Sequence, residues 1–194
     1  MILFVCVGNV CRSPLAAALV AASLAEAGVE MPLLSAGTSA AVGQPVSDAT
    51  TAIARQFGIA TIDHQARQLD AEAARRADLV LTVSRQTRSD VVRMYPPAVQ
   101  YSFTIRQFQR IMSASREPFA AIAGSSARTL LALRSFANTG RGSTSPPERD
   151  ADDLPDPYGR PRAVHEQVTG LMVPGLNALL GAFDATPLVW PRWG

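Results

Sequence analysis

The stretch Val5-Cys6-Val7-Gly8-Asn9-Val10-Cys11-Arg12-Ser13-Pro14 constrains this chain more than any other. An apolar run, Met1 to Val7, enters it, and a helical pattern, Pro14 to Ala27, leaves it. The run is continuous and includes β-branched residues, as in a strand buried on both faces. A strand that ends in a glycine-containing turn and opens a helix leaves several backbone N–H groups unpaired. Those groups and the positive end of the helix dipole converge on one point. Such a point binds an anion, most often a phosphate. Ser13 and Pro14 stand where the helix starts, and proline suits a first turn. Cys6 opens the loop and Arg12 follows six positions later. A thiol beside N–H donors and an arginine favours the thiolate, and a thiolate sharing its pocket with a phosphate is placed to attack phosphorus. On spacing alone, a buried strand cysteine with a surface arginine is an equal alternative.

Further along, Pro32 to Ala36 reads as a short strand, Val46 to Phe57 as a helix stopped at Gly58, and Asp70 to Arg76 as a short helix. Leu79 to Val83 reads as a buried strand, Arg85 to Met94 as a helix ended by Pro96-Pro97, and Val99 to Phe103 as a last strand. Strands alternating with helices imply an α/β fold with a parallel sheet and right-handed crossovers. In such sheets ligands sit at the carboxyl ends of the strands, where the Cys6 loop lies. Glu117 to Phe136 is partly helical, with Phe119, Ile122, Leu130, Leu133 and Phe136 near helical spacing and Gly124-Ser125-Ser126 interrupting. Asn138 to Asp153, made of Gly, Ser, Pro and charge, reads as a mobile loop. Arg162 to Phe183 reads as a closing helix that Pro174 and Gly175 should kink or split. Trp190 and Trp193, in an irregular tail, are expected to pack on the body, with contact to a partner as the alternative.

A chain of 194 residues fits one domain over 1–194, with 47% hydrophobic and 18% charged residues marking it as globular. The net charge of +2 gives no reason to expect nucleic acid or a membrane as partner. The two cysteines stand five positions apart in one loop, so they are no disulfide framework. A reactive thiol fits a reducing cytosol, and no secretory signal or bilayer-spanning run is read, so a cytoplasmic location is expected. No His/Cys/Asp cluster has metal-ligand spacing, and neither metal nor cofactor is expected. Nothing here fixes an oligomeric state.

Cys6-Val7-Gly8-Asn9-Val10-Cys11-Arg12-Ser13-Pro14 resembles the signature loop of the low-molecular-weight protein tyrosine phosphatases. Further landmarks of that family recur in order: Ser35-Ala36-Gly37-Thr38, His64-Gln65-Ala66-Arg67-Gln68, Ala77-Asp78-Leu79-Val80-Leu81 and Asp156-Pro157-Tyr158. The likeness covers residues 1–110 and 150–183, and leaves about 111–150 as an insertion, read as a tolerated surface feature with a lid or docking element as the alternative. The resemblance implies a three-layer sandwich around a mainly four-stranded parallel sheet, of flavodoxin-like or phosphotyrosine phosphatase I-like type.

The same resemblance implies metal-independent hydrolysis of phosphotyrosine, on a protein or as a small aryl phosphate, through a cysteinyl-phosphate. Cys6 would be the nucleophile, and Arg12 would bind two phosphoryl oxygens with its planar fork. The loop Val7, Gly8, Asn9, Val10 and Cys11 would take the remaining charge, with Ser13 donating to the sulfur. Asp156, between Pro155 and Pro157, would protonate the leaving group and then activate water. Asp152 and Asp153 are expected to be solvated. Asn9, Ser35 and His64 would brace the loop, and Tyr158 would line the entrance. Ala40-Ala41-Val42 stands where the family often carries a bulky aromatic, which widens the opposite wall. Relatives acting on phosphoarginine carry threonine where this chain has Val10. Thr82-Val83-Ser84 also departs from the family, leaving packing there unsettled. Cys11 is expected to pair with Cys6 under oxidation. An arsenate reductase is disfavoured because no cysteine follows Cys11, and a non-catalytic phosphoprotein-binding module because it has no use for an acid paired with a nucleophile.

Overall fold

The structure is a computed structural model that describes residues 1–114, 119, 125–142, 144–146, 148 and 150–189. Four strands form one parallel sheet: β1 (Ile2–Cys6), β2 (Leu33–Gly37), β3 (Leu79–Thr82) and β4 (Ser102–Thr104), in the order β2-β1-β3-β4. β1 is wholly buried, as a continuous apolar run requires, with Cys6 opposite Gly37 and Val5 opposite Thr82. Seven helices complete the described chain: α1 (Arg12–Glu26), α2 (Asp48–Gln56), α3 (Ala71–Arg76), α4 (Arg85–Met94), α5 (Ile105–Ala114), α6 (Ser126–Gly140) and α7 (Arg162–Gly181).

Alternation along the strands sends side chains into two layers. Ile2, Phe4, Leu79, Leu81 and Phe103 pack with α1, α2, α5, α6 and α7 on one face. Leu3, Val5, Val80 and Ala36 pack with Ala74 of α3 and Val91 of α4 on the other. The result is the three-layer α/β sandwich expected, with a flavodoxin-like parallel sheet.

Three expectations need correction. The last strand is shorter than Val99–Phe103, because Pro96-Pro97 start a 3₁₀ turn over Pro96–Gln100. α7 runs unbroken through Pro174. One ladder bond is lost there, but Val168, Met172, Leu176, Leu179 and Leu180 are buried along its length, and Gly175 lets α5 approach: a Cβ at that position would fall 2.7 Å from the Ile105 carbonyl oxygen.

The third concerns the insertion. α5 begins directly after β4, capped by Thr104, whose Oγ1 accepts from Gln107 N–H at 3.0 Å. Phe108 and Ile111 of α5, and Leu130, Leu133 and Ala137 of α6, belong to the main core. Phe119 meets Phe136 edge to face at 5.6 Å. Within 111–150, the end of α5 and the whole of α6 are therefore packed on the core rather than lying as a surface feature, and α6 extends past Asn138 to Gly140, after which the described residues up to Asp153 form no helix or strand. Glu117, Ile122, Gly124, Trp190 and Trp193 lie outside the described residues.

Candidate active site

The loop from Cys6 to Arg12 joins the carboxyl end of β1 to the amino end of α1. Asn9 holds φ at +57°, a left-handed conformation that asparagine tolerates better than most residues. Its side chain is fully buried and fixes the turn: Nδ2 donates to Ser13 Oγ at 2.9 Å and Ser35 Oγ at 3.0 Å, and Oδ1 accepts from Arg67 N–H at 2.9 Å. His64 Nε2 donates to the Asn9 carbonyl at 2.8 Å. Burial pushes His64 below its ordinary value, which keeps the ring neutral, although this carbonyl bond opposes the shift. Asn9, Ser35 and His64 are thus brought together around the loop. Gly37 lies behind it, where any Cβ would strike the Val7 carbonyl oxygen.

Cys6 Sγ lies on the floor, 2.9 Å from Ser13 Oγ and 3.2 Å from the donating Asn9 N–H. The N–H groups of Gly8, Val10 and Cys11 meet no acceptor among the described residues. Cys11 is the N-cap of α1 and supplies no side-chain cap, so the first turn is left open for an anion. Its own sulfur turns toward Ser47 Oγ, 3.4 Å away, and burial pushes that thiol up despite the Ser47 contact. Both cysteines are free thiols.

Arg12 is buried at the rim of this bowl. Its Nη1 donates to the carbonyls of Leu154 at 3.0 Å and Pro155 at 3.3 Å, and its Nη2 lies 2.9 Å from Asp156 Oδ1. Its Nε is buried without a partner. Cys6, Val7, Gly8, Asn9, Val10, Cys11 and Arg12 line one cavity of about 250 Å³ together with Ser39, Ala41, Asp156 and Tyr158. Tyr158 is 66% exposed and stands at the mouth, while the small Ala41 forms the facing wall.

The loop that carries Asp156 is fixed from several sides. Leu154 N–H donates to the Val83 carbonyl at 2.8 Å, and Asp153 Oδ1 accepts from Arg85 N–H at 2.7 Å. Asp156 Oδ1 also accepts from Tyr158 N–H at 3.2 Å. Thr82-Val83-Ser84 is held by its own hydrogen bonds: Thr82 Oγ1 donates to the carbonyls of Ser84 and Phe103, and Ser84 forms a capping box with Thr87.

Asp152 is a correction. It is only 4% exposed, not solvated, and both its oxygens are held by the guanidinium of Arg110 from α5. Two residues near the site carried no sequence signal. Arg110 stands far from Asp152 in the chain. His165 of α7 is buried near the Pro157 carbonyl and Asp156; burial lowers it although both neighbours oppose the shift. Among the described residues, no three His, Cys, Asp or Glu side chains group as metal ligands, and no helix is long and apolar enough to cross a membrane.

Fold and site together define a flavodoxin-like α/β protein with a thiol at the centre of an anion cradle. The sequence profile of the family described as low molecular weight phosphotyrosine protein phosphatase matches residues 1–123. A probable low molecular weight protein-tyrosine-phosphatase EpsP of Ralstonia solanacearum is 32% identical over 109 residues, 56% of this chain and 72% of that one. A protein-arginine-phosphatase of Geobacillus stearothermophilus is 38% identical over 107 residues, 55% of this chain and 70% of that one. Among solved structures, the low molecular weight protein tyrosine phosphatase from T. tengcongensis aligns with a TM-score of 0.67 at 26% identity, over 93% of this chain and 97% of that one. The chain belongs to the low molecular weight phosphotyrosine protein phosphatase family, a family of hydrolases.

Proposed function

We propose that this chain is a cytoplasmic phosphomonoesterase, acting as one domain over residues 1–194, that hydrolyses phosphotyrosine on a protein or in a small aryl phosphate. The observation that carries this reading is the stacking of Cys6 Sγ, Arg12 and Asp156 around one cavity. The phosphoryl group enters the cradle of free N–H donors, and Arg12 binds two of its oxygens. The Cys6 thiolate attacks phosphorus as the ester P–O bond breaks, and protonated Asp156 gives its proton to the departing oxygen. Water then attacks the cysteinyl-phosphate, Asp156 takes the water proton, and the S–P bond breaks. Ser13 Oγ and the Asn9 N–H, already in contact with the sulfur, stabilise the thiolate that leaves. Every positive contribution comes from backbone donors and Arg12, so no step requires a metal.

Tyr158 supports an aryl substrate, since its exposed ring offers a stacking face at the mouth. Val10 argues against phosphoarginine. It lines the cavity with an apolar side chain that gives a substrate guanidinium no hydrogen bond. Peroxide would take Cys6 to a sulfenic acid, which the Cys11 thiol condenses with, releasing water and forming a Cys6–Cys11 disulfide; mass spectrometry of the oxidised protein tests this. The main experiment is turnover of a chromogenic aryl phosphate in chelator-treated buffer by the wild type, Cys6→Ser and Asp156→Ala. Equal rates for all three would reject the assignment, and near-total loss for Cys6→Ser is expected.

A further inference from the structure

β4 is one of the two edge strands of the sheet, so its outward carbonyls have no strand to pair with. The Ser102 carbonyl instead accepts from two guanidiniums: Arg88 Nε of α4 at 2.7 Å and Arg141 Nη1, from the C-cap of α6, at 3.1 Å. Arg141 also lies over the Phe103 ring, 4.0 Å from its centroid. Neither arginine pairs with a carboxylate among the described residues. Two like charges therefore converge on one neutral oxygen. Burial pulls Arg88 down, and burial with Arg88 close by pulls Arg141 down to about 10.

Protection of the sheet edge accounts for guanidiniums over Ser102, but one carbonyl satisfies only one donor of each. Arg141 Nη2 remains buried with no acceptor, and a buried unpaired donor is costly. A cavity of about 480 Å³, lined by Arg85, Arg88, Ser89, Thr104 and Gln107, opens beside Arg88. It also contains Asp152 and Asp153, but the first is committed to Arg110 and the second to Arg85 N–H.

We propose that Arg88 and Arg141 form a second oxyanion site at the edge of β4, distinct from the Cys6 loop, that takes inorganic phosphate or the phosphoryl group of a phosphopeptide. A tetrahedral oxyanion has enough oxygens to accept from two planar forks at once. It offsets both charges and offers an acceptor to the orphaned Arg141 Nη2. The site does not depend on Cys6 being a nucleophile.

The test is a titration of the wild-type protein followed through the arginine side-chain Nε–Hε resonances, assigned by through-bond correlation. Inorganic phosphate should shift the Arg88 and Arg141 signals along one saturable curve, while sodium chloride at equal ionic strength should not. A phosphoserine peptide compared with its unphosphorylated form separates the two sources: a response to the phosphorylated peptide indicates a macromolecular ligand, and a response to inorganic phosphate alone indicates the free ion. Arg141→Lys should weaken the Arg88 response by about tenfold or more, because the fork is lost, and leave the Arg12 response intact. Signals that stay still with both ligands, or that follow chloride equally, overturn the proposal.

Discussion

The guanidinium of Arg12 reaches the carboxylate of Asp156, Nη2 to Oδ1 at 2.9 Å, across the mouth of the cavity floored by Cys6. The same fork is the proposed ligand for a phosphoryl group, so a bound phosphate and Asp156 compete for it. Replacing Asp156 with alanine should therefore do two opposite things. It should lower kcat on phenyl phosphate by about 10²–10⁴-fold, the usual reach of general acid catalysis, and tighten competitive inhibition by inorganic phosphate. The kcat loss should shrink for 2,4-dinitrophenyl phosphate, whose leaving group needs little protonation. Steady-state kinetics across a leaving-group series checks this; a uniform loss would remove Asp156 from the acid role.

Arg110 and Asp152 tie the α5 segment to the acid loop. Asp152 is buried, and Arg110 is its only ion-pair partner among the described residues. Arg110→Met leaves an uncompensated buried carboxylate and should cost roughly 3–5 kcal/mol by urea unfolding. Arg110→Met combined with Asp152→Leu should recover most of that, since an apolar pair of similar volume often replaces a buried ion pair at little cost. If the double variant is as unstable as the single, unpaired charge is not the cause.

The strand–loop–helix around Cys6 was legible because its signals are local: an apolar run, a glycine turn and a proline at the helix start. The bracing of Asn9 by Ser35 and His64, and the position of Asp156, were readable only through family resemblance, because each depends on segments that sequence spacing does not connect. Helix α5 was missed although Ile105, Phe108 and Ile111 carry a helical repeat, because its cap is Thr104, itself the last residue of a strand. The burial of Asp152 was misread for a related reason. Beside Asp153 in an acidic run it looks solvated, and the arginine that makes its burial tolerable lies on another helix.

His64 and His165 give the fold a pH dependence of definite sign. Burial lowers both from 6.5, so the folded state disfavours their charged forms. Their contribution is fully present above the unfolded value near 6.5 and is lost as pH falls from there through the lowered folded values. The urea midpoint should thus fall between neutral pH and mildly acidic pH, before most carboxylates titrate. His165→Asn should flatten part of that slope. A midpoint that stays constant or rises over this interval contradicts the account.

Gly175 tests whether the segment after β4 is integral to the body. α5 crosses α7 so closely there that an added Cβ would lie 2.5 Å from Ile105 Cγ2 and 2.7 Å from the Ile105 carbonyl oxygen. The side chain could rotate, but the carbonyl belongs to the backbone of the first residue of α5 and cannot yield without moving the helix. Alanine is intrinsically the better helix former by about 1 kcal/mol, so a loosely attached α5 would let Gly175→Ala stabilise the protein. A firmly packed α5 makes the overpacking term win, with a net loss of roughly 1–3 kcal/mol. Because α5 also carries Arg110, the displaced helix should draw Asp152 and the acid loop with it, lowering kcat on phenyl phosphate more than on 2,4-dinitrophenyl phosphate. Thermal unfolding and the two-substrate comparison together decide the matter: a stabilised variant with unchanged kinetics would mean that α5 is an appendage.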